Sequence, residues 1–353
     1  MFSTVCMISL LVLLISLSLI FLIWIIFFSK SIASSHLIDN YTHPNDLKNN
    51  KKKIAIVTMV PWHFECLGFL LDMLSDKYEI TFFSVPDNEG YIDYFNKVYD
   101  FKKLSVRDGL LDQNYYDRII KLTSTDPFIF NDLSKGISIH HYNTIHHLPQ
   151  YPTVYPTAQQ LSYISLSKLV KLEELINKKA INITPIFKTL KIYPPEERLN
   201  QIILVGEWED GPLNSLVKNF TYKIVNIRRN PRAIDAVNCL YDNISCIYKP
   251  ATTTLIELVS KSKFLFIQPK QDRFSGAIAL GLSCHIPMII DETQSKYYDF
   301  PCFTYKNYVT ELKEELNTMS RAEYEQFMEK YTKYIKDTQE ENYENSNNFL
   351  KFD

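Results

Sequence analysis

Short apolar runs alternate with helix-like stretches along the sequence between Gln201 and Asp291. Each run is rich in β-branched residues and is bounded by polar or turn-forming residues, which is typical of strands buried on both faces. Strands that alternate with helices predict a parallel sheet with helices on both sides. The expected strands are 201–205, 222–227, 244–248, 264–268 and 286–291.

The same alternation occurs in the first half of the chain. Strands are expected at 54–60, 80–85, 117–123 and 136–140, with a helix between the first two. Pro194 and Pro195 interrupt the pattern between the halves. We therefore predict an α/β fold with two Rossmann-like domains, residues 53–190 and 191–353. The second domain is expected to end in an amphipathic helix, with the tail from residue 337 frayed.

Residues 8–28 contain no charged side chain and nothing more polar than serine. A helix of that length spans about 30 Å, the thickness of a bilayer core. We predict a single-pass transmembrane anchor at 8–28 and a polar stalk at 29–52. A cleavable signal peptide is the alternative, since residues 31–33 are small enough for a cleavage site. The apolar stretch is longer than a usual signal peptide core, which favours the anchor.

The side of the membrane that holds the globular part stays open. Lysines are absent before the anchor and follow it from Lys30 onward, which favours a cytosolic globular part. Four glycosylation sequons, at Asn40, Asn182, Asn219 and Asn243, favour the lumenal side. An asparagine-rich chain contains such sequons by chance, so this evidence is weak.

Composition and motifs exclude several functions. The net charge is -2 and no arginine-rich patch occurs, so nucleic acid is not an expected partner. The sequence lacks the glycine-rich dinucleotide motif, the Walker loop, the nucleophile elbow and the kinase signatures. Dehydrogenase, nucleotide triphosphatase and serine hydrolase functions therefore lose support.

The stretch from Gln268 to Asp291 carries the most chemical information. After a strand, a polar loop leads to Ser275 and Gly276, which open a helix of small apolar residues. The free N–H groups and the positive dipole at such a helix start bind phosphate, and a glycine lets the ligand approach closely. The simpler alternative is that Ser275 only caps a buried helix.

This stretch resembles the C-terminal domain of retaining GT-B glycosyltransferases. There an acidic residue, a glycine-containing turn, a helix and a G-x-P-V-I run follow a strand, and residues 284–289 occupy the place of that run. The resemblance covers about Gln201 to Asp291. It implies that Asp272 contacts the donor sugar and that Ser275 and Gly276 contact the donor diphosphate.

The match departs from the family pattern at several positions. The second carboxylate, which holds the nucleotide ribose in the family, is replaced by Leu280, and the glycine of G-x-P is replaced by His285. The loop after the first strand of this half, residues 206–210, is acidic where the family has an Arg and Lys pair. The cations that we expect to bind the diphosphate instead are Lys270, Arg273, Arg228 and Arg229.

Histidines supply further candidates in the first half. His63 directly follows the first expected strand, where an imidazole is able to contact donor or acceptor. His140 and His141 precede a second pair, His146 and His147. Their spacing does not fit a zinc finger or an H-E-x-x-H helix, so we expect no metal site. We expect a cleft loop with one imidazole near the sugar. An ordinary exposed or packed loop is the alternative.

The resemblance implies a membrane-anchored glycosyltransferase with the donor in the second domain and the acceptor in the first. The donor would be a nucleotide- or lipid-phosphate-activated sugar, and the acceptor a glycan, lipid or protein. No cofactor or metal ion is required. Two alternatives stay open. One is a degenerate, non-catalytic protein that binds sugars or nucleotides, and the other is a nucleotide-sugar epimerase.

Overall fold

The computed structural model describes residues 51–58, 64–87, 90–105, 115–122, 141–145, 162–165, 180–206, 221–228, 243–267, 276–296, 298–306 and 310–349. Within these ranges the chain forms two parallel sheets, which confirms the predicted α/β fold class. The predicted anchor at 8–28 lies outside them. None of the helices in the described ranges combines the length and the apolar character needed to cross a membrane.

Among the described residues, the first sheet has seven parallel strands in the order β3-β2-β1-β4-β5-β6-β7. The strands are β1 (Lys53–Thr58), β2 (Glu79–Ser84), β3 (Lys102–Ser105), β4 (Arg118–Lys121), β5 (His141–Ile145), β6 (Ser162–Ser165) and β7 (Ala180–Asn182). Helix α1 (Glu65–Leu74) follows β1, and the short helix α2 (Tyr91–Phe95) follows β2. In β1 and β2 all residues except the first are buried, as expected for central strands covered on both faces.

In the described part of the second half, the second sheet has six strands in the order β10-β9-β8-β11-β12-β13. They are β8 (Leu199–Val205), β9 (Lys223–Arg228), β10 (Ile244–Tyr248), β11 (Ser262–Phe266), β12 (Met288–Asp291) and β13 (Phe303–Tyr305). The helices are α3 (Thr252–Lys261), α4 (Gly276–Ser283), α5 (Glu292–Ser295), α6 (Thr310–Thr318) and α7 (Arg321–Phe349). The predicted domain boundary, 190/191, falls in the segment between the two sheets and stays a prediction.

The C-terminal part of the chain differs from the prediction. The tail does not fray at residue 337, because α7 continues to Phe349. Asn342 exchanges hydrogen bonds with the backbone of Thr184: its amide nitrogen lies 2.6 Å from the carbonyl oxygen, and its amide oxygen accepts from the N–H at 3.2 Å. The side-chain amide of Gln339 lies 3.5 Å from Asp72 in α1. The end of α7 is therefore held by contacts with the first half of the chain.

Helix α1 packs closely because it contains Gly68. A Cβ built at Gly68 would lie 2.5 Å from Cζ of Phe95 and 2.9 Å from Cγ of Phe187. Both rings are buried, and they contact each other edge-on with centroids 5.2 Å apart. Since neither ring has room to move, only glycine fits where α1, α2 and the segment between the sheets meet.

We expect Gly68→Ala to lower the free energy of unfolding by about 1–3 kcal/mol, because the new methyl group overpacks a rigid aromatic cluster. Thr253→Ala is the control, since it introduces the same side chain at an exposed position of helix α3. Alanine is a good helix former and meets no packed ring there, so the change should stay within about 1 kcal/mol. Urea denaturation measures both, and equal losses would contradict the explanation.

Candidate functional site

Strand order identifies where each sheet offers a binding crevice. In an open parallel sheet, ligands bind beyond the carboxyl ends of the strands at the point where the strand order reverses. In the first sheet this point lies between β1 and β4, and in the second it lies between β8 and β11. The relevant strand ends are therefore Thr58 and Lys121 in the first sheet, and Val205 and Phe266 in the second.

The predicted site residues follow two of these strand ends in sequence. His63 follows β1 and precedes α1, while Lys270, Asp272, Arg273 and Ser275 follow β11 and precede α4. All five lie outside the described residues, so their roles stay predictions. Gly276 is described, and it is the first residue of α4 as expected. The strands that precede the two predicted loops, β1 and β11, thus lie at the switch points of the two sheets.

The helices that follow these two loops contact each other. Helix α1 begins directly after the segment with His63, helix α4 begins directly after the loop with Asp272, and α1 packs against α4. The backbone N–H of Phe187 donates to Oγ of Ser283, at the end of α4, over 2.9 Å. The packing of α1 against α4 connects the helix after the first switch point with the helix after the second, and the hydrogen bond ties α4 to the segment between the sheets.

A second contact lies near the carboxyl ends of β2 and β10. Gly90 precedes α2 with φ of +81°, and a Cβ built there would lie 3.9 Å from Oγ1 of Thr252, the first residue of α3. Helices α2 and α3 also pack against each other. Both helices begin soon after their strands end. The two sheets therefore approach one another at the edge where ligands bind in such folds.

Gly206 follows the end of β8 in a conformation that favours glycine. Its φ is +112°, which L-residues rarely adopt, and among the described residues no heavy atom lies within 4 Å of a Cβ built there. Its N–H donates to the carbonyl of Ile227 over 3.0 Å, which fixes the turn. The turn after β8 therefore depends on the conformational freedom of glycine.

Arg228 occupies the last position of β9 and is 1% exposed. Its carbonyl accepts a hydrogen bond from the N–H of Lys249, 2.9 Å away. Its predicted contact with a diphosphate stays a prediction. Its neighbour Arg229 lies outside the described residues.

His141 does not lie in the predicted cleft loop. It is the first residue of β5 and pairs with Ile119 of β4. The amino end of a parallel strand lies at the sheet edge opposite to the one where ligands bind. The other three histidines, His140, His146 and His147, lie outside the described residues. Within the described ranges, no group of three His, Cys, Asp or Glu side chains is placed to hold a metal ion.

The structure explains the departures from the family pattern at Leu280 and His285. Leu280 is 2% exposed and belongs to the hydrophobic core, so this position does not offer a ribose contact. His285 has φ of +56°, the left-handed conformation that ends many helices. The N–H of Ile286 donates to the carbonyl of Gly281 over 2.8 Å, which completes a Schellman-type helix end. The family glycine thus corresponds to a backbone requirement that His285 also meets.

Burial changes the acid–base behaviour of His285. Burial, with a smaller contribution from the nearby Arg198 cation, lowers the pKa of the imidazole from 6.5 to about 4. The imidazole is therefore neutral at physiological pH. Because the positive charge is disfavoured there, His285 is not a candidate for binding the donor phosphate.

Two residues at the end of β12 were not predicted as site residues. Asp291 ends the strand, as expected, and also caps α5, since its carboxylate accepts the N–H of Thr293 at 2.9 Å and of Gln294 at 3.3 Å. Gln294 is 3% exposed, and neither its amide oxygen nor its amide nitrogen has a hydrogen-bond partner among the described residues. The sequence predicted only that Asp291 ends the strand.

No protein-family model and no curated protein sequence matches the chain. Several solved structures do match the chain. Anabaena HepE, in complex with UDP and glucose, has a TM-score of 0.57 at 12% identity, covering 85% of this chain and 99% of that one. The T4 phage β-glucosyltransferase has a TM-score of 0.52 at 15% identity, covering 84% and 98%. Sucrose-phosphate synthase from Thermosynechococcus elongatus has a TM-score of 0.51 at 10% identity, covering 83% and 95%. These similarities show that the chain has the GT-B fold.

Proposed function

We propose that this protein is a membrane-anchored glycosyltransferase that transfers a sugar from a nucleotide-activated donor to an acceptor. One observation carries the proposal. In a chain with the GT-B fold, the loop that resembles a donor site follows β11, a strand at the switch point of the second sheet. The names of two structural neighbours add support, since one is a complex with UDP and glucose and another is a complex with UDP-glucose.

The donor loop has the groups that diphosphate departure needs. Lys270 and Arg273 supply positive charge, and the N–H groups at the start of α4 beside Ser275 and Gly276 supply aligned donors. Asp272 would contact the donor sugar. Fixed donors and cations of this kind stabilise the charge that develops on the leaving group. The proposal therefore needs no metal ion and no cofactor.

The first half of the chain would hold the acceptor. His63 follows β1 at the first switch point, where an imidazole would meet the acceptor or the donor sugar. The acceptor would be a glycan, a lipid or a protein. Domain closure would exclude water from the transferring sugar, as in other enzymes with two mobile halves. Residues 8–28 would anchor the protein in a membrane, with the side of the globular part left open.

The test uses the full chain kept in a mild detergent. Thermal shifts are measured with UDP-, GDP- and dTDP-linked hexoses, and release of the nucleoside diphosphate is then followed with the sugar that binds. A ligand at 100 times its Kd should stabilise the protein by about 2.7 kcal/mol, a shift of a few degrees. No shift with any nucleotide sugar would contradict the proposed donor class.

Asp272→Asn should lower turnover by about a hundredfold and leave the affinity for the free nucleoside diphosphate within about twofold, because the carboxylate acts on the sugar. Asp93→Asn, a change at an exposed carboxylate in α2, is the control and should alter neither quantity. Normal turnover in the Asp272→Asn protein would remove this residue from the site.

One observation favours a second function, a non-catalytic protein that binds sugars or nucleotides. Leu280 lies in the core where the family has its ribose-binding carboxylate, so one expected contact with the donor is missing. Such a protein would give a thermal shift with a nucleotide sugar but no release of the diphosphate. The turnover measurement separates the two functions.

A further inference from the structure

Helix α7 has one buried face, and the chemistry of that face changes along the helix. Its buried residues recur at intervals of three and four, which places them on the same side of the helix. Each of them is at most 5% exposed, and they are Tyr324, Met328, Tyr331, Ile335, Thr338 and Asn342. The face is apolar or aromatic up to Ile335 and polar from Thr338 onward. We call residues 321–335 the root of α7 and residues 338–349 the strap.

The root of α7 packs into the core of the second half. The ring of Tyr324 meets Phe264 of β11 edge-on with centroids 5.7 Å apart, and its hydroxyl donates to the carbonyl of Lys263 over 3.1 Å. Phe327 stacks on Phe303 of β13 with centroids 4.4 Å apart. Detachment of the root would expose this aromatic surface to water, which is strongly disfavoured.

The strap contacts the first half through polar groups. Asn342 exchanges two hydrogen bonds with the backbone of Thr184, at 2.6 and 3.2 Å. The ring of Tyr343, which is 38% exposed, lies 3.8 Å from the ammonium of Lys77. Water replaces hydrogen bonds of this kind at a small net cost, and a half-exposed ring gains little from burial. The strap is therefore held much less firmly than the root.

We propose that the strap detaches from the first half as a unit while the root of α7 stays folded on the second half. Local openings of this kind occur where few apolar contacts hold a segment, and their free energy is lower than that of global unfolding. Detachment opens the link that α7 makes between the two halves and leaves both sheets intact. The inference goes beyond the proposed function and does not depend on it.

The experiment is hydrogen exchange followed by mass spectrometry, on the full chain in a mild detergent and without ligand. Exchange is measured at several urea concentrations below the unfolding transition. The strap should exchange faster than the root and with little dependence on urea, because its opening exposes little surface. The root should exchange only when the second half unfolds, with a steep dependence on urea.

Asn342→Ala should accelerate exchange in the strap by about tenfold and leave exchange in the root unchanged. Alanine favours a helix more than asparagine does, so faster exchange would not result from lost helix propensity. Gln339→Ala should act in the same direction but more weakly, since its amide nitrogen lies 3.5 Å from the Asp72 carboxylate.

Asn317→Ala is the matched control. Asn317 in α6 accepts a hydrogen bond from the hydroxyl of Thr221 over 2.9 Å. This contact also joins a helical asparagine to a remote threonine, but both residues belong to the second half. The same substitution at Asn317 should therefore leave exchange in the strap at the wild-type rate.

Three outcomes would overturn the inference. Equal protection and equal urea dependence of strap and root would show that α7 opens as one unit. Wild-type strap exchange in the Asn342→Ala protein, or equal acceleration of the root, would show that the contact with Thr184 does not hold a separate segment. A wild-type strap without any protection would not be docked on the first half. Because no nucleotide sugar takes part, each result leaves the proposed function to its own test.

Discussion

Gly276→Val is expected to abolish binding of the nucleotide sugar while the protein stays folded. Gly276 is the first residue of α4 and directly follows the loop at the switch point of the second sheet. The first N–H groups of a helix have no partner within it and are therefore able to bind phosphate. A β-branched side chain at this position would hold the diphosphate away from them. We expect a loss of about a hundredfold or more in affinity, equivalent to about 2.7 kcal/mol.

Folding should tolerate this change, because valine has a higher helix propensity than the glycine that it replaces. Gly276→Ala should lose less affinity than Gly276→Val, since a single methyl group obstructs the ligand less. Thr253→Val introduces the same side chain into the first turn of α3 at an exposed position and should bind normally. Calorimetric titration with the free nucleoside diphosphate measures all three. Wild-type affinity in the Gly276→Val protein would mean that the start of α4 does not bind the diphosphate.

The alternation of strands and helices was predictable because central parallel strands are covered on both faces. Phe264, Leu265 and Phe266 are all at most 1% exposed, and such a strand has to be a continuous apolar run. The edge strand β3 lacks this pattern. Lys102 and Lys103 are exposed, so only pairing with β2 makes this segment a strand. Local sequence does not contain that information.

The start of the C-terminal helix α7 could have been predicted from the sequence, but its end could not. Ser320 and Glu323 form a capping box: Oγ of Ser320 accepts the N–H of Glu323 at 3.2 Å, and the Glu323 carboxylate accepts the N–H of Ser320 at 2.7 Å. The capping-box pattern of these two residues predicts where α7 starts. The sequence does not predict where α7 ends, because Asn342 is held by Thr184, which is remote in the sequence.

Only part of the candidate site could be predicted from the sequence, because the rest depends on contacts between residues that are remote in the sequence. Chemistry and resemblance selected Asp272 and Gly276, but their relation to a crevice depends on strand order, which pairs β8 with β11 across an intervening β9 and β10. The sequence did not place His141 at the start of a strand. Burial of Gln294 without a partner is likewise a property of tertiary packing, and its amide looks ordinary in the sequence.

His285→Gly is expected to raise the free energy of unfolding at neutral pH and to remove much of the acid sensitivity of the protein. His285 ends α4 in the left-handed conformation, with φ of +56°. That conformation costs an L-residue roughly 1–2 kcal/mol and costs glycine nothing. Glycine also gives the unfolded chain more freedom, which offsets part of the gain. We expect a net gain of about 0.5–1 kcal/mol at pH 7.

The effect should grow in acid. The folded protein holds the pKa of His285 at about 4, mainly through burial, against an ordinary value of 6.5. Between these two pH values the unfolded chain binds a proton that the folded protein does not, so stability is lost as the pH falls. We expect that loss to be about 2 kcal/mol, less than the full shift implies, because His285 is only partly buried.

His285→Asn separates the two effects, because asparagine tolerates the left-handed conformation and does not titrate. Urea denaturation at several pH values from 7 to 4 measures all three proteins. Both variants should lose less stability than the wild type as the pH falls, while glycine should give the larger gain at pH 7. A wild-type pH profile in the asparagine variant would show that other groups cause the acid sensitivity. Because the backbone requirement at the end of α4 is independent of titration, such a result would leave the expected gain of His285→Gly at pH 7 intact.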